Sequence, residues 1–197
     1  MNVSAWNRSD DWITPKWIID RFGPFDLDPC ACDPQPWPTA ATSYTKHDDG
    51  RLLPWRDRVW LNPPYHREEI GTWMQKMAMH GRGTALVFAR VDTAWFHNFV
   101  WYDAAAILFL NKRLQFHTPD GEVARWNTGA PSCLIAYGGA DAGMLRDNGL
   151  GLGRFVCLNN DQPRWASRTV VPDPQRVPSH QPRAALPARE QSPVRQP

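Results

Sequence analysis

Thr84-Ala85-Leu86-Val87-Phe88-Ala89 carries no charge and, after its first residue, no polar side chain. A strand apolar on both faces belongs in a parallel sheet covered by helices on both sides. The segments around it fit that setting. Lys16–Phe22 reads as a short amphipathic helix, with Thr14 as N-cap, Pro15 in the first helical position and Gly23-Pro24 as its stop. Phe25–Asp28 is the first strand, broken by Pro29, and Val59–Leu61 is the second. Glu68–His80 reads as a helix with Ile70, Trp73, Met74 and Met77 on one face. Thr93 begins a helix running to Val100. Ala104–Leu110, Leu114–His117, Ser132–Tyr137 and Arg154–Leu158 read as strands, and Asp141–Asn148 as a short helix. Strands alternate with helices, so the expected class is α/β with a mainly parallel central sheet. The C-terminal end leaves room for an antiparallel pair.

The chain has 197 residues, enough for one domain and a tail. From Pro163 onward there are eight prolines in 35 residues and almost no aromatics. Such a composition cannot build a core. The expected division is a folded domain over 1–162 and a disordered Pro/Arg-rich tail over 163–197. The tail holds six arginines against two acids, so it carries +4 and leaves −2 on the rest of a chain whose net charge is +2. The folded part is therefore not one large basic surface. Nucleic-acid affinity has to come from a local patch or from the tail acting as an electrostatic tether. No apolar run reaches the roughly 18 residues of a membrane helix, and no membrane association is expected. The polar N-terminus carries no signal-like apolar core. Of the four cysteines only Cys30 and Cys32 are close, with no nearby histidine. A zinc site needs about four ligands at recognisable spacing, so no metal is expected, and reduced thiols in a cytoplasmic setting are the default.

The candidate site is Asn62-Pro63-Pro64-Tyr65, directly after Val59-Trp60-Leu61. Each proline fixes φ near −65° and removes an N–H, and each drives its predecessor toward extended geometry. The chain therefore leaves the strand as a stiff, non-helical loop. The Asn62 side-chain oxygen and the Pro63 carbonyl are left as two acceptors, and Tyr65 adds a flat apolar face. Two acceptors and an aromatic plate suit a planar group with an exocyclic amine, such as adenine. The plainer alternative is a Pro-Pro turn with Asn as a turn former.

The tetrapeptide resembles the catalytic loop of amino-group methyltransferases that use S-adenosylmethionine. It does not stand alone. Asp11-Trp12-Ile13-Thr14-Pro15 precedes it, then Phe25-Asp26-Leu27-Asp28-Pro29-Cys30-Ala31, then Tyr44-Thr45-Lys46-His47-Asp48-Asp49-Gly50, with Asp92-Thr93-Ala94-Trp95-Phe96 and Asn111-Lys112-Arg113-Leu114-Gln115-Phe116 downstream. In this order the segments resemble the phage-type DNA N-6-adenine methyltransferase family, over about residues 10–138.

The resemblance implies an abbreviated Rossmann-like methyltransferase fold. S-adenosylmethionine would sit at the carboxyl ends of the central strands. It implies double-stranded DNA as the partner, with no obligate protein partner inferable. It also implies a phage- or prophage-encoded enzyme acting in the bacterial cytoplasm, in modification or restriction-modification. Thr14 and Pro15 match the segment near the methionine end of the cofactor. Asp26, Asp28, Pro29 and Ala31 match the first-strand loop that holds it; the alternative for the two acids is turn formation. Asp48 and Asp49 match the acid near the cofactor adenine, and the sequence does not decide between them. Asn62, Pro63, Pro64 and Tyr65 match the catalytic loop. His66 and Arg67 follow that loop and are candidate backbone contacts to DNA, and Arg113 is a candidate phosphate contact.

Two features depart from wider methyltransferase patterns. The turn after the first strand reads Asp-Pro-Cys-Ala, without glycines, and Asp49-Gly50-Arg51-Leu52 carries an extra arginine. Other substrates for the same loop are an RNA adenine or a protein glutamine. A DNA-binding relic without activity is the alternative outside enzymes.

Overall fold

The computed structural model describes residues 12–65, 69–125 and 129–158. Within them lies a seven-stranded sheet in the order β2-β1-β3-β4-β6-β5-β7. The strands are β1 Leu27–Asp28, β2 Thr42–Ser43, β3 Val59–Leu61, β4 Gly83–Phe88, β5 Ala106–Leu110, β6 Ser132–Tyr137 and β7 Gly153–Cys157. The helices are α1 Lys16–Phe22, α2 Ile70–His80, α3 Ala94–Phe96 and α4 Gly139–Asn148. A π-helical turn, His97–Trp101, continues α3.

The sheet is layered on both sides, and strand alternation sorts the core into two clusters. Val59, Leu61, Ala85, Val87, Ile107, Cys133 and Ile135 face α2 and the α3 region. Trp60, Leu86, Ala106, Leu108, Leu134 and Ala136 face α1 and α4. β4 contributes to both clusters, as its uninterrupted apolar run predicts. The predicted stripe of α2 (Ile70, Trp73, Met74, Met77) is buried. Gly81 ends that helix in the left-handed region at φ 71°. Gly83 lies at φ 134°, where an added Cβ would stand 2.1 Å from the Val59 carbonyl oxygen. Glycine is what lets β3 and β4 approach there.

The expectation of a mainly parallel sheet needs correction. β2, β1, β3 and β4 pair in parallel. Beyond β4 every pairing is antiparallel, because β6 inserts between β4 and β5 and β7 closes the far edge. The sheet is mixed, with its parallel half carrying the first four strands of the chain. Leu114–His117 is not a strand: His117 makes only isolated bridges, to Ile13 and to Val123. Thr14 is not the cap of α1 either. Pro15 occupies the N-cap position, and Thr14 Oγ1 is buried without a partner among the described residues. The expected tail over 163–197 lies outside the described residues.

Candidate active site

The carboxyl ends of β1, β2 and β3 open on one cavity of about 250 Å³. Ligands of open α/β sheets bind at this edge, where connections leave a central strand in opposite directions. β1 meets that condition, since it has β2 on one side and β3 on the other. The loop after β1 contributes Asp28, Pro29, Cys30 and Ala31, and the loop after β2 contributes Asp49, Gly50 and Arg51. The end of β3 contributes Asn62, Pro63, Pro64 and Tyr65. Trp12, Ile13 and Thr14 form a further wall.

Asn62 is held in one orientation. Its Nδ2 donates to the Trp12 carbonyl at 2.8 Å. A carbonyl only accepts, so the amide nitrogen faces it and Oδ1 faces the other way. The Tyr65 hydroxyl lies 3.3 Å from Oδ1 and also 3.3 Å from the Leu86 carbonyl. One hydroxyl proton cannot serve both fully, and an amide oxygen has two lone pairs, so Oδ1 keeps capacity to accept. The Asn62 carbonyl takes the Cys30 thiol at 3.3 Å, which ties the β1 loop to the β3 loop. Tyr65 is stacked on Phe88, with ring centres 4.0 Å apart and planes at 16°. Phe88 therefore covers one ring face of Tyr65 and backs it rigidly.

Asp28 anchors the β1 loop from inside. Its Oδ1 accepts the Cys30 N–H at 3.0 Å and its Oδ2 accepts the Thr39 hydroxyl. Burial lifts its pKa from 3.8 to about 6, against the opposing pull of those hydrogen bonds. Asp49 is gripped by Arg51 through two bonds of 2.8 and 3.1 Å. Arg51 also reaches Glu69 at 3.5 Å and stands 5.9 Å over the Trp73 ring. Asp48 turns the other way and accepts from the Thr45 N–H at 2.8 Å and hydroxyl at 3.1 Å, closing its own turn. Of the two neighbouring acids, Asp49 lines the cavity.

Asp26 is not brought to this site. It stands at the amino end of β1, where its carboxylate accepts the Arg58 N–H at 2.9 Å. That end of the sheet is held by Arg58, whose guanidinium pairs with buried Asp141 at 2.8 Å. Pro15 and Arg113 line a different cavity, of about 310 Å³. His66 and Arg67 lie outside the described residues.

Several residues at the site escaped the sequence reading: Trp12 as the acceptor orienting Asn62, Phe88 behind Tyr65, Thr39 on Asp28 and Arg51 on Asp49. Phe88 carried a usable signal, because it ends the strand next to β3 at the same edge of the sheet. The others arrive through loop packing, which has no sequence period.

The cavity has a charge preference. Asp28, Asp33, Asp49 and Glu69 line it against Lys46 and Arg51. An excess of acids suits a cationic ligand. Thr14 Oγ1 and the indole nitrogens of Trp60 and Trp73, all on lining residues, are buried without partners among the described residues. Buried polar groups normally have partners; Trp60 packs into the core on the α1 and α4 side and Trp73 on the α2 side, which leaves Thr14 as the candidate for a ligand contact.

The fold and this site define an α/β protein with a ligand cleft at the carboxyl ends of its parallel strands. The model of the DNA N-6-adenine-methyltransferase (Dam) family matches residues 4–137, and the chain belongs to that family. It is 29% identical over 125 residues to the DNA N-6-adenine-methyltransferase of Escherichia phage T1, covering 59% of this chain and 51% of that protein. The chain thus spans about half the length of the curated relative it matches. No solved structure matches it.

Proposed function

We propose that this protein is an S-adenosylmethionine-dependent methyltransferase of adenine N6 in double-stranded DNA, built on a shortened Rossmann-like fold. Family membership supports the reaction class. The observation that carries the chemistry is the fixed amide of Asn62, whose nitrogen is engaged by Trp12 and whose oxygen is left to accept.

The cavity fits the cofactor in charge, because S-adenosylmethionine carries a sulfonium and an ammonium against one carboxylate. When bound, it supplies an electrophilic methyl group. Asp28, Asp49, Thr14 and the loop Pro29 to Ala31 are the residues that would hold it. The target adenine has to leave the duplex, because N6 cannot be reached in the stack. Tyr65, backed by Phe88, offers its other face to the flipped base. Asn62 Oδ1 and the Pro63 carbonyl accept the two N6–H bonds and aim the nitrogen lone pair at the methyl carbon. The methyl would pass to N6 as its bond to the cofactor sulfur breaks, and one N6 proton would leave to solvent. Holding both reactants in line can contribute several kcal/mol. Acceptors that tighten as N6 gains positive charge contribute more. The site requires no covalent intermediate on a cysteine.

The test is methyl transfer from labelled cofactor to unmethylated duplex DNA, followed by nucleoside separation, with Asn62→Ala as control. N6-methyladenine from the wild type alone is expected. Bound cofactor without labelled DNA would redirect the reading to an RNA adenine or a protein glutamine. Absence of cofactor binding would overturn the methyltransferase reading.

A further inference from the structure

The cavity of about 310 Å³ that contains Pro15 and Arg113 lies against the candidate active site. Their linings meet along the segment Ile13 to Pro15 and its pairing with His117. Thr14 lines the first and Pro15 the second. Ile13 lines the first and His117 the second, and these two residues exchange backbone hydrogen bonds of 3.0 Å in both directions. Paired backbones stand about 5 Å apart. A DNA strand advances about 3.4 Å per nucleotide. The second cavity is therefore the first one's immediate neighbour, within reach of nucleotides that flank a base held there.

Its chemistry is the reverse of its neighbour's. Lys112 and Arg113 line it, and none of its described lining residues is acidic. Its floor is apolar, with Leu114 buried. Trp17, on α1, leaves 44% of its surface exposed although it is one of the largest apolar side chains in the protein. An exposed indole beside two cations is the pairing that binds a nucleotide: the ring stacks on the base and the cations meet the phosphates. Gln115, also a lining residue, carries the amide type that reads base edges, whereas the Asn111 amide nitrogen donates to the Gly151 carbonyl at 3.3 Å.

We propose that this cavity is a second nucleotide subsite, in which Trp17 stacks on a base flanking the target adenine and contributes to the choice of target sequence. The proposal rests on the DNA reading above and adds where the flanking strand runs and what reads it.

The experiment uses the full chain and duplexes with one target adenine and varied flanking pairs. DNA KM, kcat at saturating DNA, and cofactor Kd are measured for wild type, Trp17→Ala and Trp17→Phe. Trp17→Ala is expected to raise the DNA KM about tenfold. It should flatten the preference at one flanking position and leave kcat and cofactor Kd unchanged, while Trp17→Phe recovers most of both properties. An unchanged DNA KM and preference in Trp17→Ala, with the wild type active on DNA, overturns the subsite alone. A loss of cofactor affinity in Trp17→Ala also overturns it, because the cavity would then serve the cofactor. If the wild type binds cofactor but methylates no DNA, the DNA reading fails and takes the subsite with it.

Discussion

The two cavities differ most in charge. One gathers Asp28, Asp33, Asp49 and Glu69 at the carboxyl ends of the parallel strands. The other gathers Lys112 and Arg113 on the opposite side of a single backbone segment. A cationic cofactor and a polyanionic substrate would repel each other's sites if they shared one lining. On the proposed reading the acidic lining serves the cationic cofactor and the basic lining the polyanionic strand. Asn62, in the lining of the first cavity, is tied to the segment between the two through the Trp12 carbonyl. If both proposals hold, the first cavity carries the chemistry and the second the placement of the strand.

The division breaks most visibly at Asn62. Asn62→Ala removes an acceptor that strengthens as N6 becomes positive, so kcat should fall by roughly a hundredfold to a thousandfold. Cofactor Kd should hold within a few-fold. DNA affinity should also hold, because the second cavity is untouched. Single-turnover methylation combined with separate cofactor and DNA titrations checks all three. A loss spread evenly over the three readouts would mean that Asn62 supports the fold rather than the reaction.

Asp28 sharpens the electrostatic half of the comparison. Burial raises its pKa to about 6, so the carboxyl is ionised at neutral pH and loses its charge below about 6. A cation bound in the cavity favours the ionised form. Cofactor affinity should therefore rise with pH and level off above about 6, since each pH unit below the pKa lowers the ionised fraction about tenfold. Calorimetric titration at pH 5 and pH 7.5 should show an approximately tenfold tightening in the wild type and little change in Asp28→Asn. Without cofactor, stability runs the other way. The folded state holds the proton between 3.8 and about 6 where the unfolded chain has lost it, so stability falls as pH rises through that window. Asp28→Asn should then melt higher than the wild type at neutral pH, which a thermal scan reports.

How much of this could be read in advance depends on whether a feature is local. The bounds of Val59–Leu61 and nearly those of α2 are legible in the sequence, because an apolar run and a 3.6-residue stripe are written in consecutive residues. The loop Asn62 to Tyr65 was legible for the same reason: two prolines constrain their own neighbours. β2 was not, since Thr42–Ser43 is too short and too polar to show a period. The place of β6 between β4 and β5 was not, because it is set by long-range pairing such as Leu86 with Leu134. Asp26 and Asp28 show the limit most clearly. Two residues apart and alike in type, they sit at opposite ends of a very short strand. Arg58 claims one, and Thr39 with the Cys30 amide claims the other. The Cys30 amide is local, but Arg58 and Thr39 are brought in from distant loops.

The smallest effect expected is on the salt dependence of DNA binding. Lys112 and Arg113 are exposed, so neither contributes much to the fold. If each meets one phosphate, the double change to alanine should reduce the slope of log affinity against log salt by about two. Affinity should fall for every DNA sequence alike, because phosphate contacts carry no base information. Cofactor Kd and saturated turnover should stay where they are. Trp17→Ala should behave in the opposite sense, changing sequence preference while leaving the salt slope alone. An unchanged slope in the double variant would show that the two cations are solvated and off the path of the strand. The contrast between the cavities would then reduce to the acids of the first, and the basic patch needed to hold DNA would have to be sought outside the described residues.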